Sequence, residues 1–169
     1  VEIPVMVKLP VESVDPLRLM QAAVHAGADA VGPTARWRGL VFDLDLKGYP
    51  YYCPGCSGYS GTQVLPIICH IVHEARSAGI DAPMFAGGGV FNWQAAAKLI
   101  MAGSDCVQLG SVACGLGPRA VERMIRQLAE WMDQEGYADL ESLRRRAMGF
   151  LHGGKDPAAR CSILGEAYK

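Results

Sequence analysis

The 169-residue sequence lacks three features that mark specialised classes of protein. No apolar run approaches the roughly 20 residues that a membrane-spanning helix needs, so we predict no membrane partner. Neither charge is in excess, with 16 Lys and Arg against 17 Asp and Glu, which argues against a nucleic-acid partner. Aromatic residues make up only 8% of the chain, and its three Trp lie far apart, which gives no stacking platform for RNA.

The sequence also lacks an initiator Met and a visible signal peptide. A chain that begins at Val1 is typical of a processed chain or a fragment, so an earlier start of the protein stays open. Four of the six cysteines stand singly in apolar segments, where reduced thiols behave as small hydrophobic side chains. This pattern predicts a reducing, cytoplasmic location rather than a disulfide scaffold.

Short apolar runs alternate with amphipathic stretches, which is the pattern of βα units around a parallel sheet. The long loop from Pro33 to Gly61 is rich in Gly, Pro and Tyr, contains a possible extra strand at 39–43, and has a length typical of loops that serve a site. The predicted strands are 3–9, 29–32, 82–86 and 106–109, and the predicted helices are 13–27, 62–79, 92–103, 118–136 and 140–148.

The predicted fold class is α/β, with parallel strands and outer helices. Four parallel strands do not close a barrel, which takes about eight, and alone they leave two unpaired edges. We therefore expect the missing units on another chain, on a lost N-terminal segment, or replaced by self-association. Residues 1–149 form this predicted domain, and residues 150–169 form a C-terminal tail or connector.

The third and fourth predicted strands both end in glycine. Gly87-Gly88-Gly89 follows one strand and Gly110-Ser111 follows the next, with one helix between them. Glycine lets backbone N–H groups approach a phosphate closely, and a short helix after Gly110 would add its dipole and further N–H groups. Because loops after the last two strands usually bind phosphate in (β/α)8 barrels, we predict a phosphate site. The alternative is a pair of tight turns that end strands.

Seven segments, in matching order and spacing, resemble the FMN-binding barrel family of dihydroorotate and dihydropyrimidine dehydrogenases. The resemblance covers about residues 1–149 and is to the C-terminal half of the (β/α)8 barrel, so it implies a half-barrel of four βα units and FMN as cofactor. The segments are Pro4-Val-Met-Val-Lys-Leu9, Ala26-Gly-Ala-Asp-Ala-Val31, Ser57-Gly-Tyr-Ser-Gly61, Gly88-Gly-Val90, Met101-Ala-Gly-Ser104, Val107-Gln-Leu-Gly-Ser111 and Glu135-Gly-Tyr-Ala-Asp-Leu140.

The resemblance also implies roles for individual residues. Lys8 would lie against the flavin ring near N1 and O2, where a positive charge favours the reduced, anionic flavin; otherwise it is a strand-end lysine that reaches water. The remaining implied cofactor residues fall into two groups. Gly58, Ser60 and Gly61 would contact the flavin or its ribityl chain, unless they only form a glycine turn, and Gly88, Gly89, Gly110 and Ser111 would hold the phosphate.

Two departures from the family pattern bear on catalysis. Members carry Asn after the second of these strands, and that Asn reads the pyrimidine, whereas this chain has Gly32-Pro-Thr-Ala-Arg36. Thr34 and Arg36 are therefore candidates to bind a different, anionic small-molecule substrate. The family's general acid/base, a Cys or Ser, lies in the other half of the barrel. No catalytic residue is assigned to this chain, and we expect it to be inactive alone.

Three hypotheses for function follow. The leading one is part of a flavin oxidoreductase of pyrimidine metabolism, which moves a hydride between FMN and a C–C bond next to a carbonyl. The alternative is a non-catalytic half-barrel scaffold or assembly subunit of a larger redox complex. Either would act with a complementing N-terminal half-barrel or a redox partner chain, and an oligomer is expected. A third, a half-barrel that binds sugar phosphates, does not explain Lys8 together with Ser57–Gly61.

Two further motifs carry weaker signals. Cys53-Pro-Gly-Cys56 supplies two thiolates, whereas structural zinc and iron–sulfur sites usually need four ligands, so a metal here is only a weak candidate. The alternatives are a reduced turn and a local disulfide. Arg144-Arg145-Arg146 is a basic run, which most often forms a solvated helix face and otherwise a partner contact.

Overall fold

A computed structural model describes residues 2–10, 12–13, 15–34, 37–40, 42, 44–45 and 57–153 of the chain. Within these residues the elements alternate between strands and helices. The strands are β1 (Met6–Pro10), β2 (Ala30–Thr34), β3 (Trp37–Gly39), β4 (Ser57–Tyr59), β5 (Phe85–Gly87) and β6 (Cys106–Gln108). The helices are α1 (Pro16–His25), α2 (Leu65–Ser77), α3 (Trp93–Ala102), α4 (Ser111–Leu116), α5 (Pro118–Gln134) and α6 (Leu140–Gly153), and a 3₁₀ turn at Thr62–Val64 precedes α2.

The main sheet contains four parallel strands in the spatial order β1-β2-β5-β6. β1 and β2 pair along their whole length, whereas β2 and β5 meet at Thr34↔Gly87 and at an isolated bridge, Val31↔Met84. Because the strands are parallel, their carboxyl ends all lie at one edge of the sheet. The predicted α/β class, with parallel strands separated by helices, is confirmed.

The long loop holds a small antiparallel sheet, in which β3 pairs with β4. The predicted extra strand at 39–43 is therefore wrong in position, because the paired segment ends at Gly39. Trp37 explains the earlier start, since its side chain packs against the core. Glu12, from the loop after β1, accepts a hydrogen bond from the backbone N–H of Arg38 and also pairs with its guanidinium group at 3.3 Å.

One face of the main sheet packs against the helices. On β1, the side chains of Val7 and Leu9 pack in the core. The opposite face of this strand carries Met6, which is 59% exposed. At the opposite sheet edge, Cys106 of β6 is also exposed. Within the described part of the chain, the face of the main sheet that carries no helices (the helix-free face) is therefore open to solvent at the two outer strands, β1 and β6. The fully buried core side chains include Met20, Val31, Ile68, Met84 and Leu99.

The helices begin where side chains satisfy their first backbone N–H groups. Asp15 accepts a hydrogen bond from Arg18 N at 3.0 Å, and Asn92 accepts one from Ala95 N at 2.9 Å. The predicted helix 62–79 is instead a 3₁₀ turn followed by α2, because Pro66 lacks an N–H and belongs to a first helical turn.

An ion network fixes α2 and α6 at the amino-terminal edge of the sheet. Arg76 donates to the backbone oxygens of Gly103 and Ile80 at 2.9 and 2.7 Å, and its guanidinium group also pairs with Asp105. Asp105 accepts from Met84 N at 2.7 Å and pairs with Arg144 at 3.1 Å. The network therefore holds two helices and the strand ends together.

The basic run on α6 is not a simple solvated face. The side chain of Arg144 is only 19% exposed and lies in the ion network, Arg145 pairs with Glu141 at 3.5 Å, and Arg146 lies over the ring of Tyr137. The helix also continues to Gly153, past its predicted end at residue 148. Gly149 lies inside this helix, where a glycine costs roughly 1 kcal/mol of stability relative to alanine. The packing of α6 against α3 offsets that cost.

Gly32 is expected to tolerate no side chain. A Cβ atom there would lie 1.8 Å from the carbonyl oxygen and 2.9 Å from the ring of Phe85 on the neighbouring strand. Gly32→Ala should therefore lower the free energy of unfolding by about 3 kcal/mol or more, as measured by urea denaturation. Gly149→Ala is the control, because a Cβ there meets no atom within 4 Å. Equal loss in both variants would contradict this packing.

Removal of the Asp105 carboxylate is expected to destabilise the contact of α6 with the rest of the fold. Asp105→Ala should lower the free energy of unfolding by about 2–3 kcal/mol, because two partly buried guanidinium groups lose a charged partner. Urea denaturation measures the loss, with exposed Asp81→Ala as the control. An Asp105→Ala variant as stable as the control would show that the network contributes little.

Candidate functional site

A pocket of about 150 Å³ lies at the carboxyl ends of β1, β5 and β6. It gathers residues that are far apart in the sequence, as expected where parallel strands end side by side. Seven of the eight residues predicted to bind the cofactor line it: Lys8, Ser60, Gly61, Gly88, Gly89, Gly110 and Ser111. The other lining residues, which the sequence analysis did not propose as ligands, are Gly87, Val90, Phe91 and Gln108.

Gly58 is the predicted residue outside the pocket lining. It lies in β4, where it pairs with Arg38 of β3 and is exposed. Two residues later the chain enters the pocket at Ser60. Gly58 therefore belongs to the small antiparallel sheet that leads into the site.

Backbone conformation and close neighbouring atoms both require glycine after β5. Gly88 and Gly89 have φ angles of 127° and 74°, which side-chain-bearing residues rarely adopt. A Cβ on Gly89 would also lie 2.8 Å from Gly61 O and 3.0 Å from Leu65 Cβ. The loop thus runs close to the start of α2, and its amides border the pocket.

Several backbone donors at the pocket have no acceptor among the described residues. The N–H groups of Gly88, Gly89 and Ser111 make no backbone or side-chain hydrogen bond there. Gly110 O instead accepts from Ala113 and Cys114 at 3.0 and 3.1 Å, which starts α4. Free amides on two neighbouring loops form a site suited to an anion with several oxygens. Since α4 has only six residues, these N–H groups matter more than the helix dipole.

The polar side chains of the pocket are also available. Lys8, Ser60, Gln108 and Ser111 make no hydrogen bond or ion pair with other described residues. Lys8 supplies the pocket's only positive side chain among these lining residues. The volume is below the roughly 300–1,000 Å³ of pockets that bury a whole small molecule. The pocket therefore fits a phosphate-sized group and its attachment rather than a complete cofactor.

The remaining predicted site residues lie at or beyond the border of the described structure. The backbone of Thr34 ends β2, between the two pocket strands β1 and β5, and pairs with Gly87. Arg36, Cys53 and Cys56 lie outside the described residues. Among the residues that are described, no group of three or more His, Cys, Asp or Glu side chains could hold a metal ion. No helix there has the length and hydrophobicity to cross a membrane.

Gln108 is the main pocket residue that the sequence analysis missed. It lies in the predicted strand 106–109, for which the sequence analysis proposed no ligand-binding side chain. One signal could have identified it: Gln108 is a polar residue in an otherwise apolar strand, two residues before Gly110. Residues two apart in a strand point to the same face.

A second cavity of about 580 Å³ lies between α2, α3 and α6, away from the strand ends. Its walls are mostly apolar and contain none of the predicted site residues. Cys69 lines it, and burial raises the pKa of the Cys69 thiol, while the nearby Lys98 opposes part of that rise. The thiol is therefore kept protonated and is a poor nucleophile.

The fold and the pocket define a class of protein: a parallel βα protein with a polar pocket at the carboxyl ends of its strands. A family model described as dihydroorotate dehydrogenase matches residues 1–132. The chain belongs to the dihydroorotate dehydrogenase family, as its sequence segments predicted.

Individual relatives agree with this assignment. The chain is 30% identical to the dihydroorotate dehydrogenase B (NAD(+)) catalytic subunit of Petrotoga mobilis over 141 residues, which are 83% of the chain and 46% of that protein. It is 31% identical to the catalytic subunits of the same name from Methanosarcina acetivorans and Streptococcus pneumoniae, over 85% of the chain and 45% of each. The chain thus spans less than half the length of these curated relatives.

Cys69 is expected to react more slowly with thiol reagents than the exposed Cys114, because its raised pKa leaves less thiolate at neutral pH. Iodoacetamide labelling followed by peptide mass mapping measures both rates. The rate ratio of Cys69 to Cys114 should rise with pH, and Lys98→Ala should slow Cys69 further because a nearby positive charge is lost. Equal rates at neutral pH would contradict the buried position.

Proposed function

We propose that this chain is the C-terminal half of a (β/α)8 barrel that binds FMN and belongs to an oxidoreductase of the dihydroorotate dehydrogenase type. The observation that supports it best is the convergence of Lys8, the Ser60 region and both glycine loops on one polar pocket. These four sites lie on separate parts of the chain, so tight turns alone give no reason for them to meet. The family membership agrees with the same reading.

The residues of the pocket fit the phosphate of FMN. The free N–H groups of Gly88, Gly89 and Ser111 and the hydroxyl group of Ser111 would donate to its oxygens. A side chain on Gly89 would collide with Gly61 and Leu65, which keeps the loop backbone bare and close to the pocket. Donors without partners and a glycine loop that admits no side chain are what a tightly held phosphate needs.

Lys8 is proposed to set the charge near the flavin ring. It lies on β1, at the opposite edge of the main sheet from Ser111, and has no ion-pair partner among the described residues. Its positive charge is therefore available to a ligand and would favour the anionic, reduced form of a flavin. FMN, when bound, would supply the redox chemistry by accepting a hydride from, or donating one to, a carbon of a C–C bond next to a carbonyl.

The substrate of the assembly is proposed to be a dihydropyrimidine-like or related small molecule. Thr34 and Arg36 stand where the family carries its pyrimidine-reading Asn, and they are proposed to bind an anionic group of that substrate. The backbone of Thr34 lies between β1 and β5, next to the pocket strands. The general acid/base belongs to the other half of the barrel, so this chain binds and orients but is proposed to need its complement for turnover.

The complement is proposed to be four N-terminal βα units or a chain that carries them. The relatives are about twice as long as the matched region, and the helix-free sheet face is exposed at Met6 and Cys106. Since the relatives are named catalytic subunits of an NAD(+)-linked enzyme, a redox partner chain is also part of the proposal.

A second candidate function is a non-catalytic scaffold within such a complex. The observation that favours it is the segment Gly32-Pro-Thr34, which lacks the family's Asn. The assembled protein separates the two functions. Substrate-dependent bleaching of bound flavin supports the oxidoreductase, whereas assembly without bleaching by any dihydropyrimidine supports the scaffold.

FMN titration tests the proposed function. The chain, alone or co-expressed with the N-terminal half of a relative, should quench FMN fluorescence on binding. Lys8→Ala should weaken FMN binding about 10- to 100-fold, because a charged interaction with the ligand is lost. Ser111→Ala should weaken FMN binding about fivefold, because one hydrogen bond to the phosphate is lost.

Lys98→Ala is the matched control, because Lys98 is exposed and lines the other cavity. Riboflavin, which lacks the phosphate, should bind equally well to the wild type and to Ser111→Ala. The proposal would be overturned if the wild-type chain bound no FMN either alone or co-expressed with the N-terminal half of a relative.

A further inference from the structure

The side chain of Gln108 is a half-buried amide that lines the pocket and has no hydrogen-bond partner among the described residues. A ligand that fills the pocket would remove this amide from water, which is costly unless the ligand supplies a hydrogen-bond partner. Lys8, Ser60 and Ser111 also lack partners, but they are exposed and can be solvated. Gln108 is therefore the pocket residue whose position is best explained by a contact with a ligand.

The strand register places Gln108 between the two ends of the site. It pairs with Gly87, two residues nearer the carboxyl ends of the strands than the row that contains Lys8 and Gly32. The donor loops at Gly89 and Ser111 lie beyond that edge. A ligand that reaches from these loops towards Lys8 would pass the amide of Gln108.

Gly87 preserves this position. A Cβ atom on Gly87 would lie 2.7 Å from Gln108 Cβ and 3.0 Å from Gln108 O. Any larger residue at position 87 would displace the strand or the glutamine. The bare neighbour thus leaves room for Gln108 at the pocket.

We propose that the Gln108 carboxamide hydrogen-bonds the hydroxylated linker of the bound ligand, between its phosphate and its ring. This rests on the proposed function, in which the ligand is FMN and the linker is its ribityl chain. A carboxamide offers two N–H donors and an acceptor oxygen, and a hydroxyl group can match both. A phosphate offers only acceptors, and the polar edge of the ring is proposed to lie near Lys8, two residues further from the donor loops. The polyol between them therefore suits Gln108 best.

Three flavins that differ in one part separate the possible contacts. FMN has the ribityl chain and phosphate, riboflavin has the ribityl chain alone, and lumiflavin has a methyl group in its place. Gln108→Met, which keeps the length of the side chain but cannot hydrogen-bond through an amide, should weaken FMN and riboflavin about 2- to 10-fold. It should leave the binding of lumiflavin and of inorganic phosphate unchanged.

The titrations use the form of the protein, alone or assembled, in which the wild type binds FMN. Gln127→Met on the exposed surface of α5 is the matched control and should change no affinity. Gln108→Glu, a second variant in case the first does not fold, should weaken FMN more than riboflavin because its carboxylate repels the phosphate. Circular dichroism checks that each variant is folded.

Each outcome decides between the claims. If the wild type binds no flavin, the proposed function and this inference both fall. If Gln108→Met binds FMN as tightly as the wild type does, and riboflavin likewise, the inference is overturned while the proposed FMN binding stands. A matching loss for lumiflavin would place the contact on the ring, and a matching loss for inorganic phosphate would place it on the phosphate. Either result also overturns the proposed linker contact.

Discussion

The site depends on how closely the strands of the main sheet approach one another at their carboxyl ends. Gly32 and Gly87 make this possible, because a Cβ on either would collide with the neighbouring strand, at Phe85 and at Gln108. With those collisions absent, β1, β5 and β6 deliver Lys8 and the two glycine loops to one pocket. Within the described residues, the same parallel arrangement leaves the sheet face that carries no helices open to solvent at Met6 and Cys106.

The two ends of the sheet serve different purposes. At the amino-terminal edge, Arg76, Asp105 and Arg144 satisfy one another and hold α2 and α6 in place. At the carboxyl ends, the polar side chains of the pocket and the N–H groups of Gly88, Gly89 and Ser111 have no partners among the described residues. Stability is thus concentrated where side chains are paired, and ligand binding is proposed where they are not, a division common in (β/α)8 barrels.

The sequence predicted the elements better than it predicted their contacts. Apolar runs located the four parallel strands, because this signal is local. The glycine pair after β5 and β6 likewise predicted residues that meet at one pocket. Gln108 and the pairing of Arg144 with Asp105 could not be predicted in this way, since each depends on residues brought together only by the fold. A strand at 39–43 failed for the same reason, because its partner at 57–59 fixed the register.

Free amides on two loops are proposed to bind one phosphate. Two-dimensional ¹H–¹⁵N NMR of the labelled chain during a titration with inorganic phosphate tests it directly. The amide signals of Gly88, Gly89 and Ser111 should shift together and saturate with one dissociation constant. Shifts confined to one loop, or unrelated dissociation constants at the two loops, would contradict the claim.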